Sequence, residues 1–110
     1  MNVGKAREAI PHFDRAIGLN PRHAEAYTNR GIAWREMGDL SGAITGFDKA
    51  TELNPKYARA YGDRDITRLL QGKDAEAQKD LAKCFELDPS MRQVFERLIE
   101  RAKEKRAGTQ

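Results

Sequence analysis

The sequence predicts an all-α fold of stacked two-helix repeats, and two observations support this prediction. First, the chain nearly repeats itself at an interval of 34 residues, because "NPRHAEAYTNRG" at 20–31 is followed by "NPKYARAYGDRD" at 54–65. Second, apolar residues recur within each repeat at the spacing of three and four that one helical face requires. A fixed period of this size is typical of proteins whose units bury their apolar faces against their neighbours.

Aligned with itself at this period, the chain places residues of similar type in eight columns. Each column contributes a small, an apolar or a turn-forming residue to every repeat, so the repeats share one internal design. The columns are Gly4/Gly38/Gly72, Ala9/Ala43/Ala77, Phe13/Phe47/Leu81, Ala16/Ala50/Cys84, Leu19/Leu53/Leu87, Asn20/Asn54/Asp88, Pro21/Pro55/Pro89 and Tyr27/Tyr61/Phe95.

The first helix of a repeat is predicted from the face that Tyr27, Arg30, Gly31 and Trp34 form at positions i, i+3, i+4 and i+7. Gly38 follows this run, and glycine commonly ends a helix because it adopts the left-handed conformation without steric cost. We therefore expect the first helix to end just before Gly38.

The second helix of the same repeat is predicted from a periodic apolar run at 40–51, which the Asn-Pro pair at 54–55 terminates. Small residues in both helices, Gly31 and Ala43, are expected to let the two backbones approach closely. Phe47 then fills the space between them, so each repeat forms a helical hairpin.

This pattern resembles the signature of the tetratricopeptide repeat family at its 34-residue period. The resemblance extends over about residues 3–102 and implies an α-solenoid whose first helices line a concave groove. The residues that carry it are Tyr27, Arg30, Gly31, Trp34, Ala43, Phe47, Ala50 and Pro55.

The register of the repeats is unusual at both ends of the chain. If A denotes a first helix and B a second helix, the predicted order is B, A–B, A–B, A, which makes about six helices in a single domain, 1–110. The expected parts are a half repeat at 1–23, repeats at 24–57 and 58–91, a C-terminal capping helix at 92–107 and a tail at 108–110.

Two interpretations of these open ends remain at this point. The chain could be the C-terminal piece of a longer repeat protein, or an open frame with a degenerate first unit, with its last helix as a solvating cap. Alternatively, the ends could complement each other between chains and produce a head-to-tail oligomer or a helix swap. The self-association residues would then be Ala9, Phe13, Ala16, Phe95, Leu98 and Ile99.

The second repeat departs from the family pattern, because Asp65 and Arg68 stand where the first repeat has Gly31 and Trp34. An unpaired carboxylate is costly in a tight helix contact. Asp65 and Arg68 lie one turn apart and could pair. The pair indicates either a loosened last repeat or a charged feature that contributes to ligand recognition.

No catalytic or metal-binding pattern stands out in this sequence. His12 and His23 lie on different predicted helices away from a plausible nucleophile, and Cys84 occupies a packing column. A single cysteine also excludes a disulfide framework and a cysteine-based zinc site. We therefore predict no enzyme activity and no cofactor.

Composition narrows the cellular setting and the class of partner. No apolar run approaches the roughly 20 residues of a membrane helix, and no secretory leader follows Met1, so we expect a cytoplasmic protein without a membrane partner.

The net charge of +3 lies in residues 92–110, which hold six basic and three acidic residues. Glutamates interrupt this segment, and it has no following aromatic residue on which a nucleic-acid base could stack. The segment is therefore more typical of a solvated capping helix than of a nucleic-acid site. Contact with an acidic protein remains the alternative.

The resemblance implies a groove for a peptide or helical segment of another protein. Arg35, Asn29, Arg59 and Asp63 would orient the ligand and apolar residues would bury part of it, unless the C-terminal helix covers this patch itself. The implied groove residues are Thr28, Asn29, Ile32, Arg35, Arg59, Asp63, Ile66 and Leu69.

Some members of this family hold the C-terminal carboxylate of chaperones with a clamp of lysine, asparagine and arginine side chains. Asn29 and Arg59 match two clamp positions, but Asp63 stands where a basic residue is expected. Chaperone-tail binding is therefore not expected. The predicted function is a non-catalytic protein-interaction module, and the alternative is a structural repeat protein that self-assembles.

Overall fold

The computed structural model describes residues 2–108, and it confirms the predicted all-α fold with six α-helices and no strand in that range. The helices are α1 (Val3–Leu19), α2 (Ala24–Glu36), α3 (Leu40–Leu53), α4 (Ala58–Leu70), α5 (Asp74–Leu87) and α6 (Arg92–Gly108), with a short 3-10 helix at Pro89–Met91. Gly108 belongs to α6, and the rest of the expected tail at 108–110 lies outside the described residues.

The chain forms two compact units, Met1–Tyr57 and Ala58–Gln110. The first unit contains α1, α2 and α3, and the second contains α4, α5 and α6. The division lies just after the second Asn-Pro turn, Asn54–Pro55.

Helix α2 packs closely on α3 in the first unit because both helices carry glycine at their contact. A Cβ atom at Gly31 would lie 2.7 Å from Cε1 of Phe47 and 3.1 Å from the main-chain oxygen of Ala43. A Cβ atom at Gly46 would lie 3.0 Å from the main-chain oxygen of Tyr27. Phe47 is completely buried at this contact, as the sequence predicted for the residue between the helices.

Local signals in the sequence set the helix ends. Asp39 accepts a hydrogen bond from the main-chain N–H of Gly42 at 2.8 Å, which caps the start of α3. Gly38 and Gly72 have φ values of 88° and 80°, in the left-handed region that glycine adopts without strain. They follow the first helix of each whole repeat, α2 and α4 respectively.

The core of the second unit forms among its three helices. Helix α4 packs on α5 and on α6. The buried members of this core are Ala58, Ile66, Leu69, Ala77, Cys84, Phe95, Ile99 and Ala102. Within residues 2–108, none of the helices has the length and apolar character required to cross a bilayer.

Substitution of Gly31 by alanine should destabilise the protein by about 1–3 kcal/mol, because the new methyl group overlaps a fully buried ring and a main-chain oxygen. Gly18→Ala is the matched control, since a Cβ atom there meets nothing within 4 Å. That control should be neutral or up to about 1 kcal/mol more stable, through helix propensity. Urea unfolding followed by circular dichroism measures both changes, and equal stability of the two variants would contradict the prediction.

Candidate functional site

Helix α2, the first helix of the first whole repeat, presents three of its four predicted groove residues to solvent. Asn29, Ile32 and Arg35 are partly exposed and lie at intervals of three along α2, so they share one side of the helix. Thr28 is instead completely buried, and its hydroxyl oxygen makes no hydrogen bond within the described part of the chain. The surface that a ligand can reach on α2 is therefore polar with one apolar side chain.

The corresponding residues of α4 are placed differently. Arg59 is exposed, and its Nε donates a hydrogen bond of 3.3 Å to Oδ2 of Asp63, whose residue is only 1% exposed. The main-chain oxygen of Asp63 also accepts a 2.8 Å hydrogen bond from Oγ1 of Thr67. Asp63 is therefore a buried residue, and burial limits its contact with a ligand in this conformation.

Helix α6 covers the apolar residues that were predicted for the groove in the second repeat. Ile66 and Leu69 are 5% and 7% exposed and belong to one buried cluster with Phe95 and Ile99 of α6. The ring of Phe95 lies directly against Gly62, where a Cβ atom would stand 2.6 Å from Cζ of the ring. Of the alternatives left open by the sequence, the structure has the C-terminal helix occupying this patch.

Equivalent positions on α2 and α4, the first helices of the two whole repeats, thus have different surroundings. Gly62, Ile66 and Leu69 are 34 residues after Thr28, Ile32 and Arg35. On α4, these positions form a seat for a helix of the same unit. On α2, Ile32 and Arg35 remain partly exposed.

Arg106 holds the C-terminal end of α6 against α4 and α5 of the second unit. Its Nη1 donates hydrogen bonds to the main-chain oxygen of Leu69 at 3.0 Å and to Oδ1 of Asp74 at 2.6 Å. The hydrogen bond from Arg106 lowers the pKa of the Asp74 carboxyl and raises the pKa of the guanidinium. Arg106 therefore joins the end of α6 to both the end of α4 and the start of α5.

An ion cluster around Asp80 replaces the pairing that the sequence predicted for Arg68. Arg68 Nη1 lies 2.6 Å from Oδ2 of Asp80, and Arg64 Nη2 lies 2.8 Å from Oδ1 of the same carboxylate. Arg68 Nε also lies 3.6 Å from Glu76. The predicted pair of Asp65 with Arg68 is wrong, because the arginine extends across to α5 rather than along its own helix.

Asp65 remains as a buried carboxyl group in the contact of α4 with its neighbours. The residue is 2% exposed, and its Oδ2 has no hydrogen-bond partner within residues 2–108. Burial and the nearby charge of Asp80 raise the pKa of Asp65 from 3.8 to about 7, and Lys103 opposes this shift in part. The side chain is therefore largely protonated in mildly acidic solution.

A cleft of about 550 Å³ lies on the face of α2 and α3 in the first unit. Tyr27, Trp34 and Gly46 contribute to its lining. In the second unit, the residues 34 positions after Trp34 and Gly46 are Arg68 and Asp80, the ion pair already described. The first unit thus keeps an aromatic-lined cleft where the second has a charged contact.

The cysteine and the two histidines do not form a catalytic or metal-binding arrangement among the described residues. Cys84 is completely buried, and burial raises the pKa of its thiol to about 11, which suppresses the reactive thiolate. His23 caps α2 by accepting a 3.3 Å hydrogen bond from the N–H of Ala26 at its Nδ1, and His12 is exposed. No cluster of three or more histidine, cysteine, aspartate or glutamate side chains suited to a metal occurs among the described residues.

The residues predicted for self-association divide into two groups. Ala9, Phe13 and Ala16 are partly exposed on α1. Phe95 and Ile99, by contrast, are buried within their own unit against α4, because α6 folds back onto that helix. Leu98 is partly buried at the edge of the same cluster.

The sequence left coverage of the patch by α6 as one of two alternatives, and it did not indicate the contacts that hold α6 there. One signal was available, because Gly62 stands in the second repeat where the first repeat has Thr28, and a glycine admits a bulky ring such as Phe95. The link from Arg106 to Asp74 spans 32 residues, so no local pattern indicates it.

Comparison with known proteins agrees with this architecture. A family model described as tetratricopeptide repeat matches residues 1–63, more than half of the chain. The chain belongs to the tetratricopeptide repeat family. No curated protein sequence matches it.

Among solved structures, the chain is similar to other tetratricopeptide repeat proteins. It is 29% identical to MamA, with a TM-score of 0.72 over 81% of this chain and 52% of that one, so it spans about half the length of MamA. It is 27% identical to the first TPR of Spaghetti (RPAP3) bound to the HSP90 peptide SRMEEVD, with a TM-score of 0.79 over 94% and 82% of the two chains.

A third similar structure is YrrB, described as a TPR protein with an unusual peptide-binding site. It is 26% identical, with a TM-score of 0.74 over 92% of this chain and 50% of that one.

Replacement of Asp65 by asparagine should remove a pH dependence of stability. Below pH about 4, Asp65 is protonated in both the folded and the unfolded chain. Between about 4 and 7, only the unfolded chain is ionised, so the free energy of unfolding falls as the pH rises. Relative to Asp65→Asn, the wild-type protein should lose about 2–4 kcal/mol between pH 4 and 8.

Urea unfolding at a series of pH values measures this difference. Glu104→Gln is the matched control, because it neutralises a carboxyl group that is exposed on α6 rather than buried. Parallel pH profiles of the wild-type protein and Asp65→Asn would contradict the prediction.

Proposed function

We propose that this protein is a non-catalytic interaction module that captures a short segment of another protein on the exposed side of α2. The observation that carries the proposal is the contrast between equivalent positions of the two first helices. The positions of Ile66 and Leu69 on α4 hold a helix of the same unit, whereas Ile32 and Arg35 on α2 remain partly exposed. This surface of a first helix is thus suited to accept a helical or extended segment.

The chemistry of the α2 surface suits a peptide of mixed character. Ile32 offers an apolar contact for one ligand side chain. The amide of Asn29 can donate and accept, so it can pair with a peptide main chain, and Arg35 can bind a carboxylate or a main-chain oxygen. An extended or helical segment with one apolar residue next to an acidic residue would satisfy all three.

Similar proteins support peptide capture as the general activity. The structure of the first TPR of Spaghetti (RPAP3) contains an HSP90 peptide, and YrrB is described as having a peptide-binding site. We do not propose the C-terminus of a chaperone as the ligand. Asp63 is buried at a position where the chaperone clamp requires a basic residue.

An enzymatic role is not proposed, since the fold is an interaction scaffold and the thiol of Cys84 is buried with a raised pKa. Self-assembly through the open ends is not favoured either. Two of the three α6 residues that it requires, Phe95 and Ile99, are already buried in contact with their own unit.

Selection of a random peptide phage library on the full chain should enrich binding sequences, and the double variant Ile32→Ser/Arg35→Glu should weaken their binding. We expect at least about a tenfold loss of affinity, because the variant removes the apolar contact and reverses the charge. Fluorescence anisotropy with the enriched, labelled peptides measures the loss.

Arg15→Glu is the matched control, because Arg15 is an exposed arginine on a different helix, α1. It should bind the peptides with unchanged affinity. Arg59→Glu tests separately whether the exposed arginine of α4 contributes. Failure to enrich any peptide, or binding that survives the double variant unchanged, would overturn the proposal.

A further inference from the structure

Helix α6 has three distinct sides, because its residues are sorted by type at helical spacing. Its apolar side includes Phe95 and Ile99 and packs on α4. A second side carries glutamates at intervals of four, namely Glu96, Glu100 and Glu104. The third side, which we call the basic stripe, consists of Val94, Arg97, Leu98, Arg101 and Lys105, each of which lies three or four residues from another member.

The basic stripe is accessible. Arg97, Arg101 and Lys105 are all exposed, and Val94 is 56% exposed, one of the most exposed large apolar residues in the described range. Leu98 is partly exposed beside them. A shallow depression on the surface is lined by Gln93, Val94, Arg97, Leu98 and Arg101.

The three cations of the basic stripe differ from the other cations of α6 in having no ion pair among the described residues. Arg92 pairs with Glu96 at 3.3 Å, and Lys103 lies 4.0 Å from Glu100. Arg106 pairs with Asp74 at 2.6 Å. The positive charge of the basic stripe is therefore not compensated within residues 2–108.

This local excess accounts for the charge of the whole protein. Residues 92–110 hold six basic and three acidic residues, and the difference of three equals the formal net charge of +3. A positive potential concentrated on one side of one helix attracts a negatively charged partner and accelerates its association.

We propose that the basic stripe of α6 is a second docking surface, which binds an acidic amphipathic segment of a partner protein. The carboxylates of the partner segment would pair with Arg97, Arg101 and Lys105, and its apolar side chains would cover Val94 and Leu98. Val94 and Leu98 are one turn apart, so together they form an apolar ridge that a helical segment can contact. This surface lies on a different helix from the proposed ligand surface of α2.

Two other polyanions match the basic stripe less well. Single-stranded nucleic acid is usually bound by stacking on aromatic rings, and the stripe contains none. A membrane-surface helix requires a broad apolar side, whereas the apolar side of α6 is buried on α4 and the stripe exposes only Val94 and part of Leu98.

The experiment measures binding of the full chain to a fluorescein-labelled peptide of about four helical turns, built of glutamate and leucine at amphipathic spacing. Fluorescence anisotropy should show saturable binding that weakens as salt is added. The double variant Arg97→Glu/Arg101→Glu should reduce the affinity at least about tenfold, because two attractive contacts become repulsive. Val94→Ser should also weaken binding, which a purely electrostatic attraction through the arginines would not require, because this replacement removes apolar surface without changing the charge.

The double variant Arg7→Glu/Arg15→Glu is the matched control, since it reverses two exposed arginines of α1 and leaves the basic stripe intact. Circular dichroism verifies that every variant is folded. Equal weakening by the control, or binding unaffected by the α6 variants, would overturn the proposal. Tighter binding to oligo-dT or to phosphatidylserine vesicles than to the peptide would overturn it as well. Because the ligand proposed for α2 also places an apolar residue next to an acidic one, the α6 variants are compared in the Ile32→Ser/Arg35→Glu background as well. They should reduce the affinity there by the same factor, so failure of one proposal is distinguishable from failure of the other.

Discussion

Close approach of helices at glycine is the constraint on which both units depend. Gly31 and Gly46 bring α2 and α3 together around the buried ring of Phe47. Gly62 plays the corresponding part in the second unit, where it admits the ring of Phe95. A side chain at any of these positions would overlap its neighbour, and protein interiors have few voids into which the overlap could relax.

The second glycine contact creates the asymmetry between the units. Because Gly62 leaves room for an aromatic ring, α6 lies on the side of α4 that carries Ile66 and Leu69. The first unit has Thr28 instead of glycine at this position, and the neighbouring Ile32 and Arg35 stay partly exposed. The same repeat design therefore supports a packed surface in one unit and an accessible surface in the other.

The charged side chains of the second unit also divide into two groups, those paired inside the unit and those exposed on the basic stripe. Asp80 receives both Arg64 and Arg68, so the charges inside the second unit largely compensate each other, apart from the orphan oxygen of Asp65. Burial of that oxygen carries a free-energy cost that grows when the carboxyl ionises. Outside this core, the uncompensated charge is concentrated on the basic stripe of α6, where water solvates it.

The sequence by itself determined the helices and their ends. These features follow from signals within one repeat, such as the left-handed Gly38 and the 34-residue columns. Only the tertiary structure decided that α6 covers Ile66 and that Arg68 pairs with Asp80 instead of Asp65. These outcomes depend on contacts between residues far apart in the chain, where competing partners are equally compatible with the local pattern and only packing selects among them.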